Sequence, residues 1–198
     1  MARRGHSCSD PRVPVFLTDE EYTILTSVCS RLIPSEDGPG ATEAGVVDYI
    51  DTLLGAFSYD PPRIWAAGPY SGRHGGDPGF AEFLTLSPLE ELAWRSRIEG
   101  SLGLAEREVN GPVVGLQQRY REGVAALGSG FPELSPSEQD AALHAHAEFA
   151  ALVFEHACEG MYGAPEYGGN RDLVGWRLID FAGDVQPRGY TDAEVSEP

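Results

Sequence analysis

Residues 135–162 have the sequence SPSEQDAALHAHAEFAALVFEHACEGMY, which carries the signals of a long helix. Ser135 followed by Pro136, with Glu138 three positions after the serine, is typical of a capped helix N-terminus. Gly163 and Pro165 end the pattern. The sequence therefore predicts one helix over 135–162, with apolar side chains at helical spacing on its core side: Leu143, Ala147, Ala150, Phe154, Ala157 and Met161.

Five further segments on either side of this stretch have helical periodicity as well. The clearest begins at Thr18, has Glu21 three residues later as in a capping box, and ends before Pro34. Another opens with Ser87, Pro88 and Glu90 in the same arrangement. We predict these helices at residues 18–33, 43–57, 87–100 (with continuation to 109 as the longer alternative), 113–127 and 172–181.

No stretch shows the alternation of apolar and polar residues that is typical of a strand, and no internal repeat is present. The predicted fold class is therefore all-α, a single domain of five to seven helices with long irregular segments rich in Gly, Pro and aromatic residues. We place the domain at residues 16–190, between a flexible N-terminal tail (1–15) and a C-terminal tail (191–198).

The formal net charge is −17, and all 14 basic residues are arginines. Such an acidic surface repels the phosphates of nucleic acids, so no nucleic-acid partner is expected. The absence of lysine excludes a Schiff-base lysine and a phosphate-loop lysine.

Two features of the sequence bear on its location. No run approaches the 18 or more apolar residues of a membrane span, so direct membrane insertion is not expected. Arg3 and Arg4 suggest a twin-arginine signal, but residues 7–14 contain no apolar run of the length that a signal needs. We therefore expect a cytoplasmic location, with export to the periplasm as part of a complex as the alternative.

The sequence contains no recognisable catalytic arrangement. It has no nucleophile-elbow motif, and no glycine-rich stretch follows a predicted strand. His144 and His146 are two positions apart and point in different directions on a helix, whereas His156 and Glu159 are three apart and share a face. Such a pair alone is a weak metal signal, so we assign no catalytic, cofactor-binding or metal residues. A free-standing enzyme using His144, His146 and His156 stays a minor alternative.

Residues 58–79 form a long irregular segment that is rich in Gly, Pro and aromatic residues. Long segments without regular structure are usually functional or lie against a partner. Trp65 and Tyr70 are residue types that would be costly on a freely exposed loop. We therefore predict that both residues contact a partner.

The segment Tyr167-Gly168-Gly169-Asn170-Arg171-Asp172 is the most unusual in the chain. The glycines permit positive φ and close backbone approach, and Asn170 tolerates the left-handed region and caps helices. Arg171 offers a planar fork for a carboxylate or a carbonyl. One interpretation is a capped turn between helices; the other is a docking surface, in which Tyr167 and Trp176 are anchors.

Several stretches together resemble the gluconate 2-dehydrogenase subunit 3 family. Residues 17–34 carry the first part of the match, followed by Gly38-Pro39-Gly40-Ala41 and Ala44-Gly45-Val46, then Tyr49-Ile50-Asp51, and then Phe131-Pro132-Glu133-Leu134-Ser135. The most specific part is residues 162–181, which include the Tyr167 to Asp172 motif and Gly175-Trp176-Arg177-Leu178-Ile179. The resemblance spans roughly residues 16–190.

This resemblance implies a helical accessory subunit without a cofactor of its own. Its partner would be a large catalytic flavoprotein of the glucose-methanol-choline oxidoreductase type, which carries FAD and acts on a sugar, glycoside or sugar acid. Such small subunits bind and stabilise the large subunit and help to mature or export it. A cytochrome third subunit, usual in the family, is in doubt here because the export signal is not evident.

On this basis the partner-binding residues are predicted to be Tyr167, Gly168, Gly169, Asn170, Arg171, Trp176, Trp65 and Tyr70. An alternative keeps the same partner but lets the 58–79 or 164–176 segment form part of its substrate pocket.

Overall fold

The computed structural model describes residues 14–64 and 83–183 of the chain. These residues form seven α-helices and no β-strand, which confirms the all-α prediction. The helices are α1 (Asp19–Leu32), α2 (Val46–Leu54), α3 (Pro88–Ile98), α4 (Leu116–Leu127), α5 (Pro136–Ala145), α6 (Ala147–Tyr162) and α7 (Val174–Leu178). Short 3-10 turns lie at Ala56–Ser58, Ala105–Arg107, Phe131–Glu133, Pro165–Tyr167 and Arg171–Leu173.

Helix α2 is the central element of the domain. Seven of its nine residues are buried, and it packs against both α1 and α6. The sequence VVDYIDTLL is apolar on most sides, as expected of a helix that has neighbours on more than one face. Asp48 and Asp51 are the exceptions, and both carboxylates lie inside the protein.

Asp51 joins the segment before α1 to α2. Its carboxylate accepts hydrogen bonds from the backbone N–H groups of Val15, Phe16 and Leu17, at 2.7, 2.9 and 2.9 Å. A buried carboxylate is costly unless it is hydrogen-bonded, and three donors satisfy this one. Asp51 therefore fixes the start of the domain against its central helix.

The three capping boxes predicted from the sequence are confirmed. Thr18 and Glu21 cap α1, Ser87 and Glu90 cap α3, and Ser135 and Glu138 cap α5, each with a reciprocal pair of hydrogen bonds. These signals are local, because each uses only four consecutive residues.

The prediction of one helix over 135–162 is wrong, because the helix is interrupted at His146. The backbone of His146 has φ −115° and ψ 45°, which separates α5 from α6. The break lets α5 lie against α1, where Arg31 donates to both oxygens of Asp140 at 2.6 and 2.7 Å, while α6 continues along α2. Neither glycine nor proline marks this break.

The set of residues that face the core also differs in part from the predicted one. Ala147 and Phe154 were predicted to be buried but are exposed, whereas Leu143, Ala157 and Met161 are buried as predicted. Leu152, Val153 and His156 complete the buried face of α6. The periodicity extended across the break therefore misplaces Ala147 and Phe154, although it places Ala157 and Met161 correctly.

Other helix ends differ from the predicted ones by a few residues. Helix α2 starts at Val46 because Gly45 is left-handed (φ 66°), and α3 ends at Ile98, before Gly100 (φ 89°), without the continuation to residue 109. Helix α4 starts at Leu116 rather than 113, and α7 covers only Val174–Leu178. In the described residues, no helix has the length and apolar content needed to cross a bilayer.

Candidate functional site

The 167–176 segment follows α6 and folds back onto it. Asn170 is completely buried and connects three backbone groups. Its side-chain NH₂ donates to the carbonyl of Gly163 at 2.9 Å, and its Oδ1 accepts from the N–H of Gly175 at 3.0 Å. Its own N–H donates to the carbonyl of Gly160 at 2.7 Å. Asn170 thereby holds the end of α6, the turn and the start of α7 together.

Glycines allow this close packing of backbone on backbone. A Cβ atom on Gly169 would collide with the carbonyl of Gly160, and one on Gly175 would collide with the carbonyl of Met161. Gly168 has φ 106°, a conformation that residues with L side chains rarely adopt. The glycines of the motif are therefore needed for the path of the chain.

Arg171 connects the same segment to α2. Its guanidinium pairs with the buried carboxylate of Asp48 at 2.5 Å, and its backbone N–H donates to the carbonyl of Ala44 at 3.0 Å. Tyr22 of α1 donates its hydroxyl to the other oxygen of Asp48 at 2.7 Å. The predicted carboxylate partner of Arg171 is thus a residue of this chain.

Trp176 lies inside the protein, with 5% of its surface exposed. Its indole N–H donates to the carbonyl of Tyr162 at 2.7 Å, and its ring meets Phe181 edge-on at 5.0 Å between centroids. In this position Trp176 supports the residues of the surface by packing beneath them, and its own side chain does not protrude into solvent.

The structure brings together all predicted site residues of this segment, but some of them are buried and others reach the protein surface. Gly169, Asn170 and Trp176 are buried, whereas Tyr167 and Gly168 are half-buried and the Arg171 side chain is 56% exposed. Trp65 and Tyr70 lie outside the described residues, so their predicted contact with a partner stays a prediction.

Tyr167 forms one wall of a largely apolar cavity of about 280 Å³. The cavity lies where the chain before residue 65 meets the 163–167 turn, so it joins two segments that the sequence singled out. Its lining combines three aromatic side chains, three aliphatic ones, a glycine and two charged ones: Tyr49, Trp94, Tyr167, Leu53, Ile64, Ala164, Gly163, Arg63 and Glu159.

The polar groups of the cavity contact aromatic side chains that line it or lie beside it. The hydroxyl of Tyr49 donates to Glu159 at 2.6 Å. Burial raises the pKa of Tyr49 far above its usual range, and the hydrogen bond to Glu159 raises it further. Arg63 stacks over the ring of Tyr59 at 4.4 Å from its centroid, and Phe83 meets Tyr167 edge-on at 5.6 Å. Because its pKa is raised, the hydroxyl of Tyr49 stays protonated and acts as a hydrogen-bond donor.

A second depression, of about 630 Å³, lies between α4 and the α5–α6 junction. It is larger but shallower and more polar, and its lining includes Arg119, Glu122, His146 and Glu148. Enclosed, mainly apolar cavities with a few polar groups are the usual binding sites of proteins. For this reason we take the cavity beside Tyr167 as the candidate site.

The three histidines of the alternative enzyme hypothesis do not form a common site. His144 is exposed, whereas His156 is buried and its Nδ1 lies 2.8 Å from the hydroxyl of Tyr120. His146 precedes the first residue of α6 and His156 is ten residues further on, which corresponds to about 15 Å along the helix axis. In the described part of the chain, no group of three or more His, Cys, Asp or Glu side chains is placed to hold a metal ion.

Sequence reasoning did not identify the buried polar residues that organise the domain. Asp48, Asp51 and the Tyr120–His156 pair have this role. Two aspartates three positions apart in an otherwise apolar helix were a signal that could have identified the first two. The histidine had no comparable signal, because its partner lies 36 positions away.

The sequence profile of the family described as Gluconate 2-dehydrogenase subunit 3 matches residues 19–183. This match confirms the resemblance found in the sequence. No curated protein and no solved structure matches the chain.

Proposed function

Because the chain belongs to the gluconate 2-dehydrogenase subunit 3 family, we propose that it is the non-catalytic small subunit of a dehydrogenase complex. In this proposal it binds and stabilises a large subunit of the glucose-methanol-choline oxidoreductase type and helps to mature or locate it. The large subunit holds FAD and oxidises a sugar, glycoside or sugar acid.

The family match is the observation that carries this proposal. It extends from the first residue of α1 (Asp19) beyond the last residue of α7 (Leu178), so it includes every described helix. A match of this extent relates the whole helical domain to the family rather than one short motif.

The cavity beside Tyr167 supports the binding part of the proposal. Interface energy is concentrated in a few large side chains that fill well-packed pockets. A cavity of about 280 Å³ with aromatic and aliphatic walls is suited to one large apolar side chain of a partner. We propose that the large subunit inserts such a side chain next to Tyr167.

The rigid backing of this surface supports the same role. Asn170, Arg171 and Trp176 fix the turn that carries Tyr167 through hydrogen bonds to α6 and an ion pair to α2. A surface that is ordered before association loses less conformational entropy on binding. In this proposal the buried residues of the motif support the contact, and Tyr167 makes it.

A second candidate function is that the cavity forms part of the large subunit's substrate pocket. The observation that favours it is the presence of Arg63, Glu159 and the hydroxyl of Tyr49 among its apolar walls. Such groups are hydrogen-bonding partners for a polyhydroxy substrate.

Co-expression with a flavoprotein of the glucose-methanol-choline type from the same organism tests the proposal. We expect a stable complex with the absorption spectrum of bound FAD, and a Tyr167→Ala variant with less small subunit per large subunit. Tyr162→Ala is the matched control, because that tyrosine is exposed and does not line the cavity.

The outcomes separate the two candidates. Normal assembly of Tyr167→Ala with a raised KM supports a contribution to the substrate pocket, whereas weaker assembly with an unchanged KM supports docking alone. A wild-type chain that is a stable monomer and does not bind the flavoprotein contradicts the proposed function.

A further inference from the structure

The chain between α3 and α4, which we call the 99–115 loop, is closed at its base by backbone contact. A Cβ atom on Gly115 would collide with the backbone of Glu99 and Gly100, and one on Gly100 would lie within 3 Å of Gly115 and Val113 backbone atoms. The two ends of the loop thus touch, which is the defining property of a compact surface loop.

Polar contacts hold the interior of this loop. Ser101 is buried, its N–H donates to the carbonyl of Val113 at 2.9 Å, and its hydroxyl accepts from the N–H of Val113 at 2.6 Å. Arg107 turns inward, with its guanidinium 2.9 Å from Glu99 and 3.1 Å from the carbonyl of Gly100. Only 8% of the Arg107 side chain is exposed.

The large apolar side chains of the loop face outward instead. Five of them are exposed by 40 to 82%: Leu102, Leu104, Val109, Val113 and Val114. Compact surface loops are usually packed by their own side chains, and scattered single apolar residues on a surface need no explanation. This loop has the opposite arrangement, with polar groups in its interior and five apolar side chains exposed. Concentrated exposed apolar surface is typical of interaction sites.

The backbone of Leu102 adds to this observation. Its φ is 52°, in the left-handed region that leucine rarely adopts. Its side chain is nevertheless 69% exposed, so packing among the described residues covers little of it. Residues held in such conformations cluster at functional surfaces.

We infer that the 99–115 loop is a docking surface for the large catalytic subunit, which meets it with an apolar patch rimmed by basic residues. This inference rests on the proposed function, which supplies the occupant. Glu106 and Glu108 flank the exposed aliphatic side chains, and neither carboxylate forms an ion pair within the described residues. Basic residues around the partner's patch complement these charges.

Charge also argues against two other occupants. A second copy of this chain would bring together two molecules that each carry −17, with acidic residues beside both loops. An anionic membrane surface would repel the same acidic residues.

The loop begins a short distance along α3 from the cavity beside Tyr167. Trp94 lines the Tyr167 cavity, and Glu99, where the loop begins, is five residues further along α3 and its C-terminal cap. Five residues correspond to about 7.5 Å of helix axis. One partner of ordinary size can cover both surfaces, since a standard interface buries about 800 Å² on each side.

The test is the affinity of the purified chain for the purified flavoprotein, measured with two loop variants. Val109→Glu/Val114→Glu adds two negative charges to the loop, and Val109→Thr/Val114→Thr changes polarity with little change of shape. We expect Kd to rise about tenfold or more for the first and less for the second, with unchanged thermal unfolding of the chain alone. Phe154→Glu/Ile179→Glu is the matched control, because it adds the same charge at exposed apolar positions elsewhere.

Each other outcome overturns the inference in a recognisable way. If the wild type binds the flavoprotein and the loop variants bind equally well, the loop is not the docking surface, although the proposed function stands. If the control loses affinity as strongly as Val109→Glu/Val114→Glu, the effect is one of overall charge. If the wild type does not bind the flavoprotein at all, the proposed function itself fails.

Two measurements on the chain alone identify a different occupant. A wild-type dimer in analytical ultracentrifugation that becomes a monomer in the Val109→Glu/Val114→Glu variant would assign the loop to self-association. Flotation of the wild type with vesicles of phosphatidylcholine and phosphatidylglycerol, lost in the same variant, would assign it to a lipid surface.

Discussion

Arg171 and Asp48 form an ion pair across 123 positions of sequence, with 2.5 Å between Nη2 and Oδ2. The carboxylate is 6% exposed and belongs to the central helix, whereas the guanidinium is 56% exposed and belongs to the 167–176 segment. This pair joins the most distinctive motif of the sequence to the middle of the core.

Arg171→Ala is expected to lower the free energy of unfolding by about 1–2 kcal/mol, less than a fully buried pair would lose, because water screens the arginine. Urea denaturation measures this loss. Arg177→Ala is the control, since Arg177 is exposed and forms no ion pair among the described residues. Equal stability of the two variants would mean that the pair contributes nothing.

Asn170→Ala is expected to destabilise the protein by about 2–4 kcal/mol, because it leaves the carbonyl of Gly163 and the N–H of Gly175 without this partner. Asn170→Gly removes the same hydrogen bonds but accommodates φ 45° without strain. The glycine variant should therefore be the more stable of the two in thermal unfolding. The reverse order would show that backbone conformation is not important at this position.

Asp51→Ala is expected to cost about 3 kcal/mol of stability, since the N–H groups of Val15, Phe16 and Leu17 lose a common acceptor. Asp51→Asn retains one acceptor oxygen and should lose less. Hydrogen exchange of these three amides is the direct measurement. Protection that is unchanged in Asp51→Ala would contradict the assigned role.

Trp176→Ala and Tyr167→Ala are expected to act on different properties. Loss of the buried indole should destabilise the isolated chain by about 3–5 kcal/mol. Loss of the half-buried Tyr167 should change stability less and assembly more. Thermal unfolding together with the subunit ratio after co-expression separates the two effects, and the assignment fails if Tyr167→Ala is the less stable variant.

Stability should fall between neutral and mildly acidic pH because of His156. Burial lowers its pKa below the usual 6.5, so the unfolded chain binds a proton at a higher pH than the folded chain does. The stability from this residue is complete above pH 6.5 and is lost as the pH falls through the folded pKa, by at most about 1.4 kcal/mol per pH unit.

The measurement is the free energy of unfolding at several pH values from 7.5 to 5. His156→Gln should have a flatter profile than the wild type, and His144→Gln, at an exposed position, should not. Parallel profiles for the wild type and His156→Gln would exclude this histidine as the cause.

The sequence predicted those features that depend on neighbouring residues. The caps at Thr18, Ser87 and Ser135 use four-residue patterns, and all three are present in the structure. The break at His146 was not predicted, because it results from packing α5 on α1 and α6 on α2 rather than from any local signal.

The same distinction applies to the site. The motif at Tyr167 to Asp172 was recognisable from its glycines and Asn170, but the burial of Trp176 was not. Tryptophan, tyrosine and arginine are typical both of interfaces and of cores, so residue type does not decide between them. The pairing of Arg171 with Asp48 depends on tertiary structure, so it could not be predicted from the sequence either.

The distance between Asp48 and Arg171 along the chain also affects how the protein is made. At a synthesis rate of about 5–20 residues per second, a ribosome adds the 123 residues between them in about 6 to 25 s. During that interval the nascent chain contains α1 and α2 but lacks the guanidinium that pairs with the aspartate of its future core. The N-terminal helices therefore remain without that ion pair until the ribosome has added the segment that contains Arg171.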